Sequence, residues 1–308
     1  MRQVHYIDMD EQDKLKILLE KIESADAIVV GGASGMSAAS GCKFYYADDD
    51  VYKKIAGGLR EKYDKHSFFD LYYDHRLTRG EFWAMLIRAV KHIRDCETGE
   101  TYTDLAELLD GKNYYVLTTN QDAQFFRVFP ADRITRLQGD WRYFQCKNRC
   151  HDEIYDNKLI VDELYPKIVG DSLPDELIPR CPHCGAEMAE WVRSRHFLEG
   201  KDYVAEFERY MNFLRSNMKK NVLFLELGVG MMTPMFIKEP FMNMVYQWPD
   251  AFYVTINPKH AIIPKEIASK SLAFNDNIAC VLKKLLGKPT DHLKVESDKE
   301  IFNPARPY

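Results

Sequence analysis

The residues best suited to chemistry lie where short apolar runs end in small or polar residues. The run at 27–30 leads into the glycine-rich segment 31–41, and the run at 114–117 leads into Thr-Thr-Asn-Gln-Asp at 118–122. Small residues let a backbone approach a pyrophosphate, and free N–H groups at a helix start favour its negative charge. The first segment therefore predicts a phosphate-binding turn. The alternative is a plain tight turn, since many α/β proteins have one there.

Two further apolar runs, 222–225 and 252–256, end near the segment 228–230 and at Asn257. Continuous apolar runs of this length are typical of strands buried on both faces of a parallel sheet. Ligands of open α/β sheets bind beyond the carboxyl ends of the strands. The four strand ends are therefore predicted to form one polar crevice.

The elements around these runs predict an α/β protein with a Rossmann-like parallel sheet. We assign 1–45, 113–140 and 201–308 to this domain, because apolar runs alternate there with segments of helical spacing. Residues 46–112 show several helix-like segments and are predicted to form a helical insertion. Residues 141–200 are polar, carry paired cysteines and lack helical periodicity. The two insertions are predicted to make a smaller domain.

Four cysteines occur in two closely spaced pairs, Cys146 with Cys150 and Cys181 with Cys184. Two such knuckles can place four thiolates around one Zn²⁺ in a closed site with a structural role. We therefore predict a zinc ribbon. Histidines beside the pairs could replace a ligand, and four unrelated buried thiols are the alternative.

Composition excludes several classes of function. A net charge of −5 gives no electrostatic footprint for nucleic acid. No apolar run has the length of a membrane span, and the first residues lack the features of a secretory signal. Clustered cysteines without a disulfide scaffold indicate a reducing compartment, so we expect a cytoplasmic protein.

Two common nucleotide-binding layouts fit poorly. A dehydrogenase-type fold would continue into a second strand with an acidic residue about 20 positions on, whereas Phe44-Tyr45-Tyr46 leads into charged, helix-like sequence. No Gly-Lys-Ser/Thr follows the glycine-rich turn, so it is not a P-loop. A hydride-transferring dehydrogenase is therefore not expected.

The order of these motifs resembles that of the sirtuins, NAD-dependent protein deacylases and ADP-ribosyltransferases. The segment 33–41 resembles the sirtuin Gly-Ala-Gly-x-Ser-x-x-Ser-Gly signature, and 118–122 resembles Thr-Gln-Asn-Ile-Asp. Leu-Gln-Gly at 137–139, the paired cysteines, a Gly-x-Gly strand end and Ile-Asn follow in the same order. The resemblance covers most of the chain.

Departures from the sirtuin pattern bear on the activity. Most sirtuins have a catalytic histidine at the position of Gln138, where it acts as general base on an NAD ribose hydroxyl. A glutamine amide forms hydrogen bonds but cannot take a proton. The sirtuin Gly-Thr-Ser is replaced by Gly-Val-Gly at 228–230, and Asp-Phe-Arg by Phe-Tyr-Tyr at 44–46. These changes are compatible with NAD binding but not with efficient deacylation.

The pattern resembles the macrodomain-linked (class M) sirtuins of bacteria and fungi. That resemblance implies protein ADP-ribosyltransferase activity on a lipoylated carrier protein of the glycine-cleavage H type. It also implies a partner macrodomain protein that removes the modification. A true deacylase with another group as base is the alternative, and a non-enzymatic NAD-responsive module is a third possibility.

The resemblance also implies roles for individual residues. Asn120 would orient the nicotinamide ribose, Asp122 the carboxamide, and Gln138 the ribose hydroxyls or the acceptor. Asn120 and Gln138 are the predicted catalytic residues, although Asn120 and Asp122 could instead cap a helix and Gln138 could be an ordinary turn residue. The other predicted cofactor-binding residues hold the phosphates or face the adenosine: Gly32, Ala33, Ser34, Gly35, Met36, Gly228, Val229, Gly230, Asn257, Asn277 and Ile278.

Overall fold

The computed structural model describes residues 9–291 and 293. These residues form two compact units. Unit 1 lies within Met1–Gly41, Thr98–Gly139 and Glu199–Leu293, and the described part of unit 2 is Cys42–Glu97 and Asp140–Leu198. Within the described ranges, no helix combines the length and the apolar character that crossing a bilayer requires.

The described residues of unit 1 form six strands and six α-helices. The strands are β1 Ala27–Gly32, β2 Tyr114–Thr118, β3 Ile134–Arg136, β7 Val222–Leu227, β8 Phe252–Ile256 and β9 Ser271–Phe274. The helices are α1 Glu11–Ser24, α2 Ser34–Ala39, α7 Glu100–Leu108, α9 Lys201–Asn217, α10 Lys238–Gln247 and α11 Ile278–Leu285.

Unit 2 is built from helices and a small antiparallel sheet. Its helices are α3 Asp50–Ala56, α4 Leu59–Tyr63, α5 Phe68–Tyr72, α6 Arg79–Asp95 and α8 Lys158–Leu164. Its strands are β4 Gly139–Cys146, β5 Ile154–Asp156 and β6 Met188–Val192, in the order β5-β4-β6. This arrangement confirms the predicted smaller, partly helical structure around the cysteine pairs.

The six strands of unit 1 form a parallel sheet in the order β3-β2-β1-β7-β8-β9. From β1 the chain continues to β2 and β3 on one side of the sheet, and later to β7, β8 and β9 on the other side. The order therefore reverses between β1 and β7, which is where an open α/β sheet leaves a crevice for ligands. The Rossmann-like fold class predicted from the four apolar runs is confirmed.

Both faces of this sheet are covered by helices. Along β1, Ala27 and Val29 point into a core with residues of α9 and α10, whereas Ile28 and Val30 point into a core with residues of α1, α7 and α11. This alternation is the two-residue period of a strand. It explains why the predicted strands read as unbroken apolar runs rather than as alternating patterns.

Helix α7 lies within the stretch 46–112 predicted as a helical insertion, yet it belongs to unit 1. Its residues Tyr102 and Leu105 join the same core as Val281 and Leu282 of α11. The apolar face of α7 is thus buried against the sheet domain.

Helix α8 lies in the stretch 141–200, in which no helical periodicity was expected. Only Val161 and Leu164 of α8 are buried. Two apolar positions in a seven-residue helix give too weak a repeat to be recognised in the sequence.

Candidate functional site

The loops after β1 and β2 are joined by hydrogen bonds at the carboxyl edge of the sheet. Thr118 Oγ1 and the Thr119 N–H both donate to the carbonyl of Gly32, at 3.0 and 3.1 Å. The Asn120 side chain donates from Nδ2 to the carbonyl of Ala33 at 2.9 Å. The two segments that the sequence analysis singled out first therefore form one continuous structure.

Four polar side chains of unit 1 form a connected group, here called the Asn120 cluster: Ser37, Tyr102, Asn120 and Asp122. Ser37 Oγ lies 3.0 Å from the Tyr102 hydroxyl and donates to the Asp122 carboxylate. Asn120 Nδ2 lies 3.0 Å from Ser37 Oγ and 3.2 Å from the Tyr102 hydroxyl. The predicted residues Asn120 and Asp122 are thus brought together through two residues that were not on the predicted list.

The alternative that these residues cap a helix applies in part to Asp122. Asp122 Oδ1 accepts a hydrogen bond from the Gln124 N–H at 3.2 Å, at the start of the 3₁₀ turn Gln124–Arg127. The other carboxylate oxygen of Asp122 faces Ser37. The side-chain NH₂ group of Asn120 instead points to the Ala33 carbonyl and to the hydroxyls of Ser37 and Tyr102.

The glycine-rich turn leads directly into helix α2 and packs against the loop after β7. A methyl group on Gly35 would lie 2.6 Å from the Cα of Gly228, and one on Gly228 would lie 2.5 Å from the Cα of Gly35. Gly228 also has a φ of +69°, which favours glycine. The two loops can come this close because both predicted residues, Gly35 and Gly228, lack a Cβ atom.

Several amides of the turn are already hydrogen-bonded within the protein. The N–H groups of Ala33, Gly35 and Met36 donate to the carbonyls of Leu227, Gly228 and Ala33, at 3.1, 3.2 and 2.8 Å. A phosphate held by the turn would therefore contact chiefly other groups. Candidates are the half-exposed Ser34 and the backbone at Gly230, beside which there is open space.

The loop after β8 is tied to the same place. Asn257 Nδ2 donates to the Val229 carbonyl at 3.1 Å, and its Oδ1 accepts from the N–H groups of Lys259 and His260 at 2.9 and 3.0 Å. The predicted convergence of the loops near 33, 120, 229 and 257 is thus present in the structure.

Four other predicted residues lie near this edge in different settings. Gln138 is half-buried after β3, and its carbonyl accepts from Gln121 Nε2 at 3.2 Å. Asn277 caps α11 by accepting from the Ala279 N–H at 2.9 Å. The Ile278 side chain is buried in the core that also contains Met36. Gly32 leaves room for the Phe125 ring, which would lie 2.2 Å from an added methyl group.

A buried ionic network that the sequence analysis missed supports the loops after β7 and β8. Glu226 of β7 is fully buried and accepts from Lys238 Nζ at 2.6 Å, from Thr255 Oγ1 at 3.0 Å and from the Tyr253 hydroxyl. Burial raises the pKa of Glu226, against the opposing effect of Lys238. Lys238 Nζ also donates to the His260 carbonyl at 3.0 Å, so the network reaches the loop after Asn257.

The predicted cysteine pairs come together in unit 2. Cys146 Sγ lies 3.6 Å from Cys184 Sγ, and Cys150 Sγ lies 3.6 Å from Cys181 Sγ. Zinc–sulfur bonds of about 2.3 Å in a tetrahedron place sulfurs about 3.8 Å apart, so the four thiols fit a zinc ion. His151 Nδ1 lies 3.0 Å from Cys150 Sγ, so this histidine is adjacent to the cluster as well.

Comparison with solved structures identifies the fold. A structure from work on sirtuin substrate affinity has a TM-score of 0.58 at 16% identity, covering 91% of this chain and 99% of that chain. A Sir2 homologue in complex with NAD has a TM-score of 0.55 at 16% identity, covering 92% and 95%. The protein therefore has the sirtuin fold.

Sequence relatives identify the family. A protein ADP-ribosyltransferase of Staphylococcus aureus is 32% identical over 96% of this chain and 95% of its own length. A probable bifunctional ADP-ribose hydrolase/ADP-ribosyltransferase of Fusarium oxysporum is 28% identical over 78% of this chain but only 41% of its own length. No family model matches the chain. The chain belongs to the family of protein ADP-ribosyltransferases with the sirtuin fold.

Proposed function

We propose that this enzyme transfers ADP-ribose from NAD to a side chain of a protein and releases nicotinamide. The observation that carries the proposal is the joining of the loops after β1, β2, β7 and β8 at one edge of the sheet, with Gln138 on the next loop. In the reaction, the bond between ribose C1′ and the nicotinamide nitrogen breaks, and its electron pair leaves with neutral nicotinamide. An acceptor atom then bonds to C1′ and loses its proton.

The residues of unit 1 supply positioning and electrostatic stabilisation for this step. Asn120 orients the nicotinamide ribose, and Asp122 binds the carboxamide. Gln138 hydrogen-bonds ribose hydroxyls or aligns the acceptor, without taking a proton. The turn at 33–36 and the segment 228–230 face the phosphates, Asn257 faces the adenine ribose, and Asn277 and Ile278 face the adenine.

We assign a structural zinc ion to Cys146, Cys150, Cys181 and Cys184. The sulfur spacing supports this assignment, and so does the chemistry of the donors, because four thiolates close the coordination sphere. Such an ion stabilises the fold of unit 2 and supplies no open position for a substrate.

The acceptor proposed here is a lipoylated carrier protein of the glycine-cleavage H type, with a macrodomain protein as partner and the cytoplasm as location. The motif resemblance to class M sirtuins supports the acceptor and the partner. The Staphylococcus relative, whose name specifies a protein acceptor, supports the general class of substrate.

Intact mass spectrometry of carrier proteins tests the proposal. Carriers with and without lipoylation are incubated with enzyme and NAD, and we expect one ADP-ribosyl group to be added to the lipoylated form. The Asn120→Ala variant should lose both this addition and the release of nicotinamide.

Other outcomes would contradict the proposal. Removal of an acyl group from an acylated peptide, with formation of acyl-ADP-ribose, would show a deacylase instead. NAD binding without any release of nicotinamide in the presence of acceptor would show a binding module. Transfer to the carrier regardless of lipoylation would contradict the proposed requirement for lipoylation, but it would still support the transferase activity.

A further inference from the structure

We propose that Tyr102 is a positioning residue that, together with Ala33 and Ser37, holds the Asn120 amide so that its carbonyl oxygen faces the reacting ribose. Tyr102 lies on helix α7, which the motifs do not include, and its hydroxyl belongs to the Asn120 cluster. This inference rests on the proposed function, because it assigns a role during cleavage of the bond to nicotinamide.

The orientation of the Asn120 amide follows from its partners. The Ala33 carbonyl lies 2.9 Å away and can only accept hydrogen bonds, so the NH₂ end of the amide must point toward it. The same NH₂ group lies 3.0 Å from Ser37 Oγ and 3.2 Å from the Tyr102 hydroxyl. The oxygen end, Oδ1, consequently points to the other side of the side chain.

The direction of each hydrogen bond in the Asn120 cluster can be worked out from the number of hydrogens. Ser37 has one hydroxyl hydrogen, which it donates to the Asp122 carboxylate. In the 3.0 Å contact between Ser37 and Tyr102, the donor must therefore be Tyr102. The Asn120 NH₂ group has two hydrogens: one goes to the Ala33 carbonyl, and the other is shared between the oxygens of Ser37 and Tyr102.

The ring of Tyr102 is held independently of its hydroxyl. The side chain is fully buried, and its ring packs edge-on against Phe125 with 4.9 Å between ring centroids. Replacing Tyr102 with phenylalanine removes one oxygen atom and keeps the packing. The hydroxyl can thus be tested separately from the fold.

The orientation matters because positive charge develops on the ribose as nicotinamide leaves. A carbonyl oxygen directed at that charge stabilises it, whereas the NH₂ end of a reversed amide would repel it. Without the Tyr102 hydroxyl, the amide loses one of the acceptors that discriminate between the two orientations. The effect should therefore appear in the chemical step more than in the binding of NAD.

Steady-state nicotinamide release by Tyr102→Phe, with acceptor protein present, provides the kinetic test. We expect kcat to fall by about tenfold, the loss typical of one buried hydrogen-bond partner, with the KM for NAD changed by less than about threefold. The matched control is Tyr115→Phe in the same unit. Its buried hydroxyl bonds Thr135 Oγ1 at 2.9 Å, away from the Asn120 cluster, so its kcat should remain at the wild-type value.

The side-chain amide resonance of Asn120, identified by its loss in Asn120→Ala, provides a second readout without turnover. It should shift in Tyr102→Phe and not in Tyr115→Phe. Wild-type kcat in a folded Tyr102→Phe protein, or equal losses in both variants, would overturn the inference. A wild-type enzyme that releases no nicotinamide would instead overturn the proposed function, while the resonance would still test the contact.

Discussion

At the scale of single residues, Gly35 and Gly228 are constrained by each other. A methyl group added to either residue would lie within 2.6 Å of the other's Cα atom. The atoms that it would meet belong to the backbone, so no flexible side chain could move aside. The loops after β1 and β7 can approach only because both residues lack a Cβ atom. Their role in the fold is therefore independent of any contact with phosphate.

This contact predicts the effect of Gly35→Ala on stability. Forcing the two loops apart should lower the free energy of unfolding by about 1–3 kcal/mol, the usual range for overpacking. Urea unfolding followed by circular dichroism measures it. The matched substitution is Gly230→Ala, whose methyl group would enter open space and should change stability by less than about 1 kcal/mol. Equal effects of the two substitutions would contradict this interpretation.

The residues that could be predicted from sequence are those that lie in recognisable motifs. Asn120, Asp122 and Gly35 fall within short segments of fixed order, so their proximity followed from placing those segments at strand ends. Tyr102 could not be found in this way, since its part in the Asn120 cluster depends on how α7 packs. Ser37 lies within the glycine-rich segment 33–41, so its hydroxyl could have been recognised in the sequence as a candidate site group.

At the scale of elements, the buried network around Glu226 connects β7, β8 and the first residue of α10. Lys238→Met would leave the Glu226 carboxylate buried without its cation, which typically costs about 3–5 kcal/mol. Thermal or urea unfolding measures this loss. Lys284→Met, which removes two more exposed ion pairs in the same unit, with Glu11 and Asp276, should cost less than about 1 kcal/mol.

The loss in Lys238→Met should depend on pH in a defined direction. Burial already raises the pKa of Glu226, and removing the nearby cation raises it further. A group with a raised pKa in the folded state stabilises the protein at low pH and loses this contribution as pH rises through that pKa. The deficit of Lys238→Met relative to the wild type should therefore be smaller at pH 5 than at pH 8. A deficit that grows as pH falls would contradict the assignment.

The predictability of the elements followed their length and burial. The four central strands read as apolar runs because both of their faces are covered. The edge strands Ile134–Arg136 and Ser271–Phe274 span three and four residues, too few for a pattern to stand out. Helix α7 lies in the stretch 46–112 that was predicted to be helical, but its assignment to one unit depends on contacts between residues far apart in sequence.

At the scale of the whole molecule, unit 2 combines an apolar core with the four thiols. Cys146 and Cys181 are buried in the same core as Trp83 and Phe144. Glu187, close to the second cysteine pair, accepts from Trp83 Nε1 at 2.7 Å and pairs with Arg79 at 2.9 Å. The cysteine knuckles are therefore connected to helix α6 by both packing and hydrogen bonds, and a metal ion there would stabilise more than its own loops.

Removing that ion should destabilise unit 2 selectively. We expect Cys181→Ser to reduce bound zinc from about one ion per chain to none, because a structural site needs all four ligands. Unit 2 should then unfold at least about 10 °C lower, since each kcal/mol shifts the midpoint of a small domain by about 4–8 °C. Elemental analysis measures the bound zinc, and hydrogen exchange under heating measures the unfolding of unit 2, with the amides of β1, β2 and β7 as internal reference.

In the control Cys96→Ser, a hydroxyl can replace the thiol that donates to the Ile93 carbonyl, so zinc content and exchange should not change. Full zinc content in Cys181→Ser, or equal loss of protection in both units, would show that the four thiols do not form the structural site of unit 2.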